Sequence, residues 1–290
     1  MSTITSRIPK STRRTAARWM RQASFPLGWA TAGARLLPDF MVIGAQRAGT
    51  TSVYRYLAQH PDVAPVRLGK GVHYFDTDPD KSFSWYRGHF PLDPAKVPGH
   101  RPTHTGEGAP YYIFHPLALQ RMHRVLPEVK LIAILRDPVE RAHSHWVHES
   151  ARGFETLSFE AALHAEAERL AGEEERMIRD PGYYSFEHQH HSYIARGQYA
   201  PQVERMWSTY PAAQTLVLSA RQLFEHPHET TSQVLEFLGL QPFRAEYDTY
   251  NARDYDPMEP DIRAWLDEQF CESDERIVEL FGADFDWSKR

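Results

Sequence analysis

Residues 40–52 read FMVIGAQRAGTTS, and this stretch decides the fold class of the chain. The apolar run at 40–43 ends at Gly44, as a buried strand of a parallel sheet does. From Thr50 onward apolar residues recur at helical spacing, which predicts a helix over residues 50–59. Glycines at both ends of the turn between them let its N–H groups point inward, and the helix N-terminus adds positive potential. The stretch therefore predicts a strand, a loop and a helix that together bind a phosphate.

Composition limits the class of protein. The chain has 290 residues, 41% of them hydrophobic and 24% charged, which is typical of a folded globular protein. Its net charge of -5 gives no overall basic field, so nucleic acid is not expected as the main partner. Cys271 is the single cysteine, which favours a reducing, cytoplasmic location. No apolar run reaches the roughly eighteen residues of a membrane span.

The first 38 residues differ from the rest, and we predict a basic extension over 1–38 and one folded domain over 39–290. No acid precedes Asp39, whereas the following residues are basic: Arg7, Lys10, Arg13, Arg14, Arg18 and Arg21. Aromatic residues are interleaved with them. Three interpretations stay open: a partly ordered extension, peripheral contact with an anionic membrane surface, and an export signal built on the Arg13-Arg14 pair. Pro26 and weak apolar character argue against export.

Beyond residue 60, strand patterns and helix patterns alternate. Continuous apolar runs predict strands at 130–135 and 215–218, and a short strand is predicted near 72–75 in a loop-rich region. Apolar periodicity and end signals predict helices at residues 116–125, 138–149, 158–170, 198–210, 228–238 and 260–281. This alternation predicts a three-layer α/β fold, with a central parallel sheet flanked by helices.

The loop at 44–51 differs from the loop of nucleoside triphosphatases. Those proteins have a lysine after the second glycine, whereas this chain has Thr50, and the nearest cation is Arg47. The predicted strand at 130–135 is followed by Arg136 and not by a metal-binding aspartate. Asp137 suits a helix N-cap and Pro138 the first helical position. A kinase is therefore the weaker interpretation.

Residues 135–146 read LRDPVERAHSHW and form a second motif. Arg136 leaves its strand at the same sheet edge as the loop at 44–51. Ser144 lies two turns into the helix that follows, so a cation and a hydroxyl can converge on one anion. The two motifs together predict a ligand with two separated phosphates.

The two motifs resemble those of sulfotransferases, most closely the glycan-modifying and bacterial branch. The resemblance continues through residues 73–76, 106–112, 193–199 and 237–240, and covers about residues 39–245. It implies a P-loop-like fold that binds 3'-phosphoadenylyl sulfate over the carboxyl edge of the sheet. It also implies transfer of the sulfuryl group to a hydroxyl or amine. The acceptor stays open between carbohydrate, glycolipid and small natural product.

The resemblance implies roles for individual residues. Arg47 lies where the family usually has lysine, and would stabilise charge on the leaving phosphate. Arg136 and Ser144 match ligands of the 3'-phosphate, and Arg196-Gly197 would add weaker donor contacts. No metal is expected. The 5'-phosphosulfate would lie against the end of the loop: Ala48, Gly49, Thr50, Thr51 and Ser52.

The residues around the expected catalytic base, which takes the acceptor's proton, depart from the family pattern. The glycan branch has a glutamate two residues before the histidine at 73 and often a lysine after Glu107, whereas this chain has Gly71 and Gly108. His73 is the predicted base, because a neutral imidazole is available near neutral pH. Glu107 is the alternative. These departures leave a non-catalytic nucleotide-binding scaffold open as a second function, and a small-molecule kinase is the third.

Overall fold

The computed structural model of the chain describes residues 25–66, 69–96, 103–248 and 258–288. The six basic residues before residue 22 lie outside the described residues, so the interpretations drawn from them stay predictions. Within the described ranges, no helix is both long enough and apolar enough to cross a membrane.

The described residues form a parallel sheet of five strands in the spatial order β2-β3-β1-β4-β5. The strands are β1 (Phe40–Gly44), β2 (Val63–Pro65), β3 (His104–Gly108), β4 (Lys130–Leu135) and β5 (Thr215–Ser219). In the central register, Phe40 lies opposite Gly106 on one side and Lys130 on the other. Every residue of β1 is buried, as expected for a strand covered on both faces. The predicted strands at 40–43, 130–135 and 215–218 and the α/β fold class are confirmed.

Helices flank this sheet, and their ends follow local sequence signals. The side chain of Asp137 accepts hydrogen bonds from the N–H groups of Val139 and Glu140, so it is the predicted N-cap. The predicted helices are confirmed to within two residues at each end. The α-helices of the described residues are α1 (Phe25–Ala30), α2 (Thr50–Leu57), α3 (Phe83–Arg87), α4 (Ala118–Val125), α5 (Pro138–Ser150), α6 (Phe159–Leu170), α7 (Glu173–Arg179), α8 (Phe186–His190), α9 (Tyr199–Thr209), α10 (Ala220–Glu225), α11 (Pro227–Leu238) and α12 (Pro260–Phe281).

The strand predicted near residues 72–75 is wrong. The backbone N–H groups of Val72 and His73 donate to the carboxylate of Glu107, so they do not enter a strand ladder. The strands on this side of the sheet are instead β2 and β3. Sequence analysis missed β3 because its residues 104–108 contain no apolar run. Gly106 is required there, since a Cβ atom at this position would lie 2.4 Å from the ring of Phe40.

The strand order changes direction between β1 and β4. After β1 the chain adds β2 and β3 on one side of it, and later adds β4 and β5 on the other side. Parallel α/β sheets bind ligands outside the carboxyl ends of the strands at such a change of direction. The loop after β1 and the segment after β4 both begin at this point, so the two motifs meet where the topology favours a site.

The described end of the N-terminal extension packs on the domain. Arg35 is buried, and its guanidinium donates to the carbonyl of Phe90 at 2.5 Å. The N–H of Leu36 donates to the carbonyl of Pro91 at 3.0 Å. The domain boundary after residue 38 stays a prediction. A second apolar cluster joins α5, α6 and α12 and holds the helix that carries Ser144.

Candidate active site

The loop after β1, which we call the phosphate loop after its predicted ligand (residues 44–51), contains two residues with left-handed backbone. Gly49 is the N-cap of α2 and has a φ of 98°, a left-handed conformation that favours glycine. A Cβ atom there would also lie 2.8 Å from a methyl carbon of Leu223, so a side chain would crowd α10 as well as strain the backbone. Arg47 has a φ of 72°, which is uncommon for a residue with a side chain and recurs at functional sites. Ala48, Thr50 and Ser52 are buried.

The two predicted anion motifs are in direct contact. The guanidinium Nε of Arg47 donates to the hydroxyl of Ser144 at 3.0 Å. Arg136 donates from Nη1 to the backbone carbonyl of Arg47 at 3.3 Å. The hydroxyl of Tyr199 donates to the carbonyl of Arg136 at 2.9 Å and so braces the end of β4. The structure therefore brings Arg47, Arg136 and Ser144 together, although 97 residues separate Arg47 from Ser144.

Arg196 lies behind the loop and is almost fully buried. Its guanidinium lies 4.9 Å from the ring centroids of both Tyr111 and Phe114 and donates to the side-chain oxygen of Gln46. Through Gln46 it braces the phosphate loop. Gly197 lies under α12, where a Cβ atom would be 2.5 Å from the ring of Phe270. Direct contacts of Arg196 and Gly197 with a donor stay predictions.

His73 and Asp76 form a hydrogen-bonded pair. Nδ1 of His73 lies 2.9 Å from Oδ2 of Asp76, whose side chain is fully buried, whereas the imidazole is 37% exposed. Burial lowers the pKa of His73, but the charge and hydrogen bond of Asp76 raise it more, so the pKa lies above its ordinary value. Since an ionised carboxylate only accepts, Asp76 orients the ring with Nδ1 as the donor and leaves Nε2 free to act as a base.

Glu107 is buried and holds the histidine segment in place. Its Oε1 accepts from the N–H groups of Val72 at 2.7 Å and His73 at 3.0 Å. The hydroxyls of Tyr112 and Tyr86 donate to the same carboxylate at 2.8 and 3.0 Å. Burial raises the pKa of Glu107, and the hydrogen bonds from His73 and its other neighbours lower it in part. With its oxygens engaged inside the core, Glu107 acts as the anchor that sets the position of His73.

We expect Glu107→Gln to destabilise the protein by about 1–3 kcal/mol, because an amide cannot accept all four of these hydrogen bonds. With the amide oxygen in place of Oε1, the amide nitrogen would face the hydroxyl of Tyr86, which would lose its acceptor. Urea denaturation of the variant and the wild type measures the difference. Equal free energies of unfolding would contradict the anchoring role.

Gly71 leaves no room for the glutamate of the glycan branch. A Cβ atom at this residue would lie 2.8 Å from the carbonyl oxygen of Gly108 and 3.2 Å from Nε2 of His73. Any side chain here would displace either the end of β3 or the imidazole. The local backbone is therefore built around His73, which occupies the space beside Gly71.

Sequence analysis missed Lys70. Its ammonium donates to the hydroxyl of Thr50 at 2.9 Å and to that of Thr51 at 3.4 Å, at the first turn of α2. No spacing or motif in the sequence pointed to it, because the contact joins residues 20 positions apart on separate segments. The segment 69–73 thus contributes both a cation and an imidazole to the same edge of the sheet.

Comparisons with known proteins agree with this geometry. Residues 37–253, more than half of the chain, match the model of the sulfotransferase domain family. A sulfotransferase of known structure from Alicyclobacillus acidocaldarius superposes with a TM-score of 0.62 at 30% identity, covering 84% of this chain and 96% of that chain.

Curated relatives are sulfotransferases as well. The membrane-associated sulfotransferase kil1 of Dictyostelium discoideum is 24% identical over 87% of this chain. The human heparan sulfate glucosamine 3-O-sulfotransferase 3B1 is 31% identical over 72% of it. The chain spans only 66% and 48% of these two relatives. On the family match and the shared fold, the chain belongs to the sulfotransferase domain family.

Proposed function

We propose that this protein transfers the sulfuryl group of 3'-phosphoadenylyl sulfate to a hydroxyl or amine of an acceptor. The observation that supports the proposal is the contact of Arg136 and Ser144 with Arg47 of the phosphate loop. It joins the two predicted anion motifs at the carboxyl edge of β1 and β4. A donor with phosphates at its 3' and 5' positions matches two such motifs.

The residues at this edge fit the donor in charge and hydrogen-bonding type. Arg136 and Ser144 would hold the 3'-phosphate with a planar cation and a hydroxyl. The first turn of α2, with the hydroxyls of Thr50 and Thr51, would hold the 5'-phosphosulfate. Arg47 would stabilise the negative charge that develops on the leaving phosphate. The donor supplies the sulfuryl group, and these side chains bind and orient it.

His73 is the proposed base. Nδ1 of the imidazole is hydrogen-bonded to Asp76, so Nε2 is the other ring nitrogen. The imidazole is partly exposed, whereas the side chain of Asp76 is buried. In the proposed step the acceptor oxygen or nitrogen attacks sulfur while Nε2 takes its proton. The bond from sulfur to the bridging oxygen of the 5'-phosphate breaks, and adenosine 3',5'-bisphosphate leaves. Asp76 then stabilises the imidazolium, because its carboxylate lies 2.9 Å from Nδ1.

Turnover with labelled donor tests the proposal. The donor is supplied to the full chain with glycan, lipid and phenol acceptors, and transfer of label is measured. We expect transfer to at least one class, without added ATP. Binding of adenosine 3',5'-bisphosphate with no transfer across the panel would favour a scaffold. Tight binding of ATP with magnesium and none of the bisphosphate would favour a kinase.

The rate should depend on the ionisation of His73. A base works in its neutral form, so the rate should fall as pH falls through the raised pKa of His73 and reach a plateau above it. Asp76→Asn removes the charge that raises this pKa. The acidic limb should therefore move to lower pH, and the plateau should fall because the ring loses its orientation. Profiles of kcat/KM against pH for both proteins measure the shift, and superimposable limbs would contradict the pairing.

We also propose a cytoplasmic location with peripheral membrane contact through the basic N-terminus. The support is the single cysteine and the basic residues of the first 21 positions, which favour anionic surfaces. Binding to vesicles with and without anionic lipid, compared between the full chain and a variant with these residues neutralised, tests the contact.

A further inference from the structure

Lys70 reaches the point where the phosphate loop would hold an anion. Its ammonium lies within hydrogen-bond distance of the hydroxyls of Thr50 and Thr51, at 2.9 and 3.4 Å. These two residues open α2, where backbone N–H groups have no partner within the helix. A cation, two hydroxyls and a helix N-terminus therefore converge on one small region.

Gly108 leaves space for the aliphatic part of the Lys70 side chain, which passes over it towards α2. A Cβ atom at residue 108 would lie 2.9 Å from Cγ of Lys70 and 3.0 Å from both Cδ and Cε. The backbone is fixed at the same place, because the N–H of Gly108 donates to the carbonyl of Lys70 at 2.8 Å. The aliphatic part of the side chain thus lies across the glycine at the end of β3, and the ammonium continues to α2.

The ammonium has hydroxyl partners but no counter-ion. Within the described ranges, no carboxylate lies at ion-pair distance from it, and its hydrogen bonds go to Thr50 and Thr51. Burial lowers the pKa of Lys70 to about 7. The titratable group that faces it is the imidazole of His73, which also disfavours a second positive charge. A partly desolvated cation without a carboxylate is costly, and an anionic ligand would offset that cost.

We propose that Lys70 is a further donor-contacting residue, whose ammonium binds the phosphosulfate end of the donor between Thr50 and Thr51. The assignment rests on the proposed function. It gives the 5' end of the donor a second cation in addition to Arg47, and this cation lies on the segment that carries the proposed base. The 3' end is held separately by Arg136 and Ser144, so the role of Lys70 is confined to the 5' group.

Calorimetry with two nucleotides tests this assignment. Lys70→Met keeps the apolar part of the side chain and removes the ammonium. We expect its affinity for adenosine 3',5'-bisphosphate to fall at least roughly tenfold, the lower end of the range for one lost charge-assisted hydrogen bond. Its affinity for adenosine 3'-monophosphate, which lacks the 5' group, should match the wild type. Unchanged bisphosphate affinity, or equal losses for both nucleotides, would overturn the assignment.

Protonation gives a readout that a purely structural role would not change. An anion bound beside Lys70 raises the pKa of its ammonium, so binding of the bisphosphate at pH 7 should take up protons. Titrations in two buffers of different ionisation enthalpy measure this uptake, and it should be smaller in Lys70→Met. Equal uptake in the two proteins would count against the proposal.

The path across Gly108 supplies a second variant. Gly108→Ala should displace the stem of Lys70 and weaken bisphosphate binding, while the double variant Lys70→Met/Gly108→Ala should lose little beyond Lys70→Met alone. Additive losses would mean that the glycine acts independently of the lysine. If the wild type binds neither nucleotide, the proposed function itself fails. If the wild type binds and Lys70→Met binds equally well, only this inference fails.

Discussion

Arg136→Ala should bind adenosine 3',5'-bisphosphate roughly 100-fold more weakly than the wild type. The guanidinium sits where the end of β4 meets the phosphate loop and donates to the carbonyl of Arg47. Charge-assisted hydrogen bonds to a phosphate are among the strongest polar contacts, at about 1.5–3 kcal/mol each, and alanine removes the whole planar fork. Isothermal titration calorimetry measures the change in the dissociation constant.

Two variants make this result specific. Arg136→Lys keeps the charge without the fork and should recover only part of the affinity. Arg276→Ala removes an arginine at an exposed surface, where it pairs with Glu204 and Glu279, and should bind like the wild type. Wild-type affinity in Arg136→Ala would remove this residue from the site and, with it, the argument for two joined anion motifs.

His73→Ala should lower kcat roughly 100- to 10,000-fold and leave donor affinity nearly unchanged, since general-base catalysis contributes about that factor. The imidazole lies beside Asp76 on a separate segment from Arg136 and Ser144. Its removal therefore affects the proton transfer more than nucleotide binding. Steady-state kinetics with a saturating acceptor gives kcat, and calorimetry gives the donor affinity.

The backbone at His73 calls for a matched variant. Its φ of 64° is left-handed, which alanine tolerates poorly and asparagine tolerates better. His73→Asn keeps a polar side chain beside Asp76 but removes the base, so it should lose as much activity as His73→Ala with less effect on stability. His123→Ala, at an exposed helix position, controls for loss of a histidine and should retain the wild-type rate. Wild-type turnover in His73→Asn would assign the base to another group.

The predictable part of the site was carried by local patterns at the ends of β1 and β4. Arg136 follows a continuous apolar run, and Asp137-Pro138 has the chemistry of a helix start. The sequence therefore predicted both the end of β4 and the start of α5. In a parallel sheet the carboxyl ends of the strands lie at the same edge, so the loop after β1 was expected at the same edge as Arg136. The contact between Arg136 and Arg47 followed from these two facts and from the pairing of β1 with β4.

The part of the site that the sequence did not predict depends on β3. Its sequence His104–Gly108 has neither an apolar run nor strict alternation, and only its pairing with β1 and β2 shows that it is a strand of the sheet. Without this strand, Glu107 could be a candidate base, and Lys70 had no visible partner. Once β3 is in place, Glu107 becomes an anchor for residues 72 and 73, and Gly108 becomes the surface that Lys70 crosses.

The amino-acid sequence by itself determined the fold class, the two anion motifs and the ends of the main helices. Apolar periodicity and capping act over a few residues, so a single chain displays them directly. Tertiary structure alone decided the meeting of Lys70 with Thr50 and the anchoring of His73 by Glu107. These contacts depend on which strands are neighbours in the sheet, and that order is set by packing between segments distant in the chain.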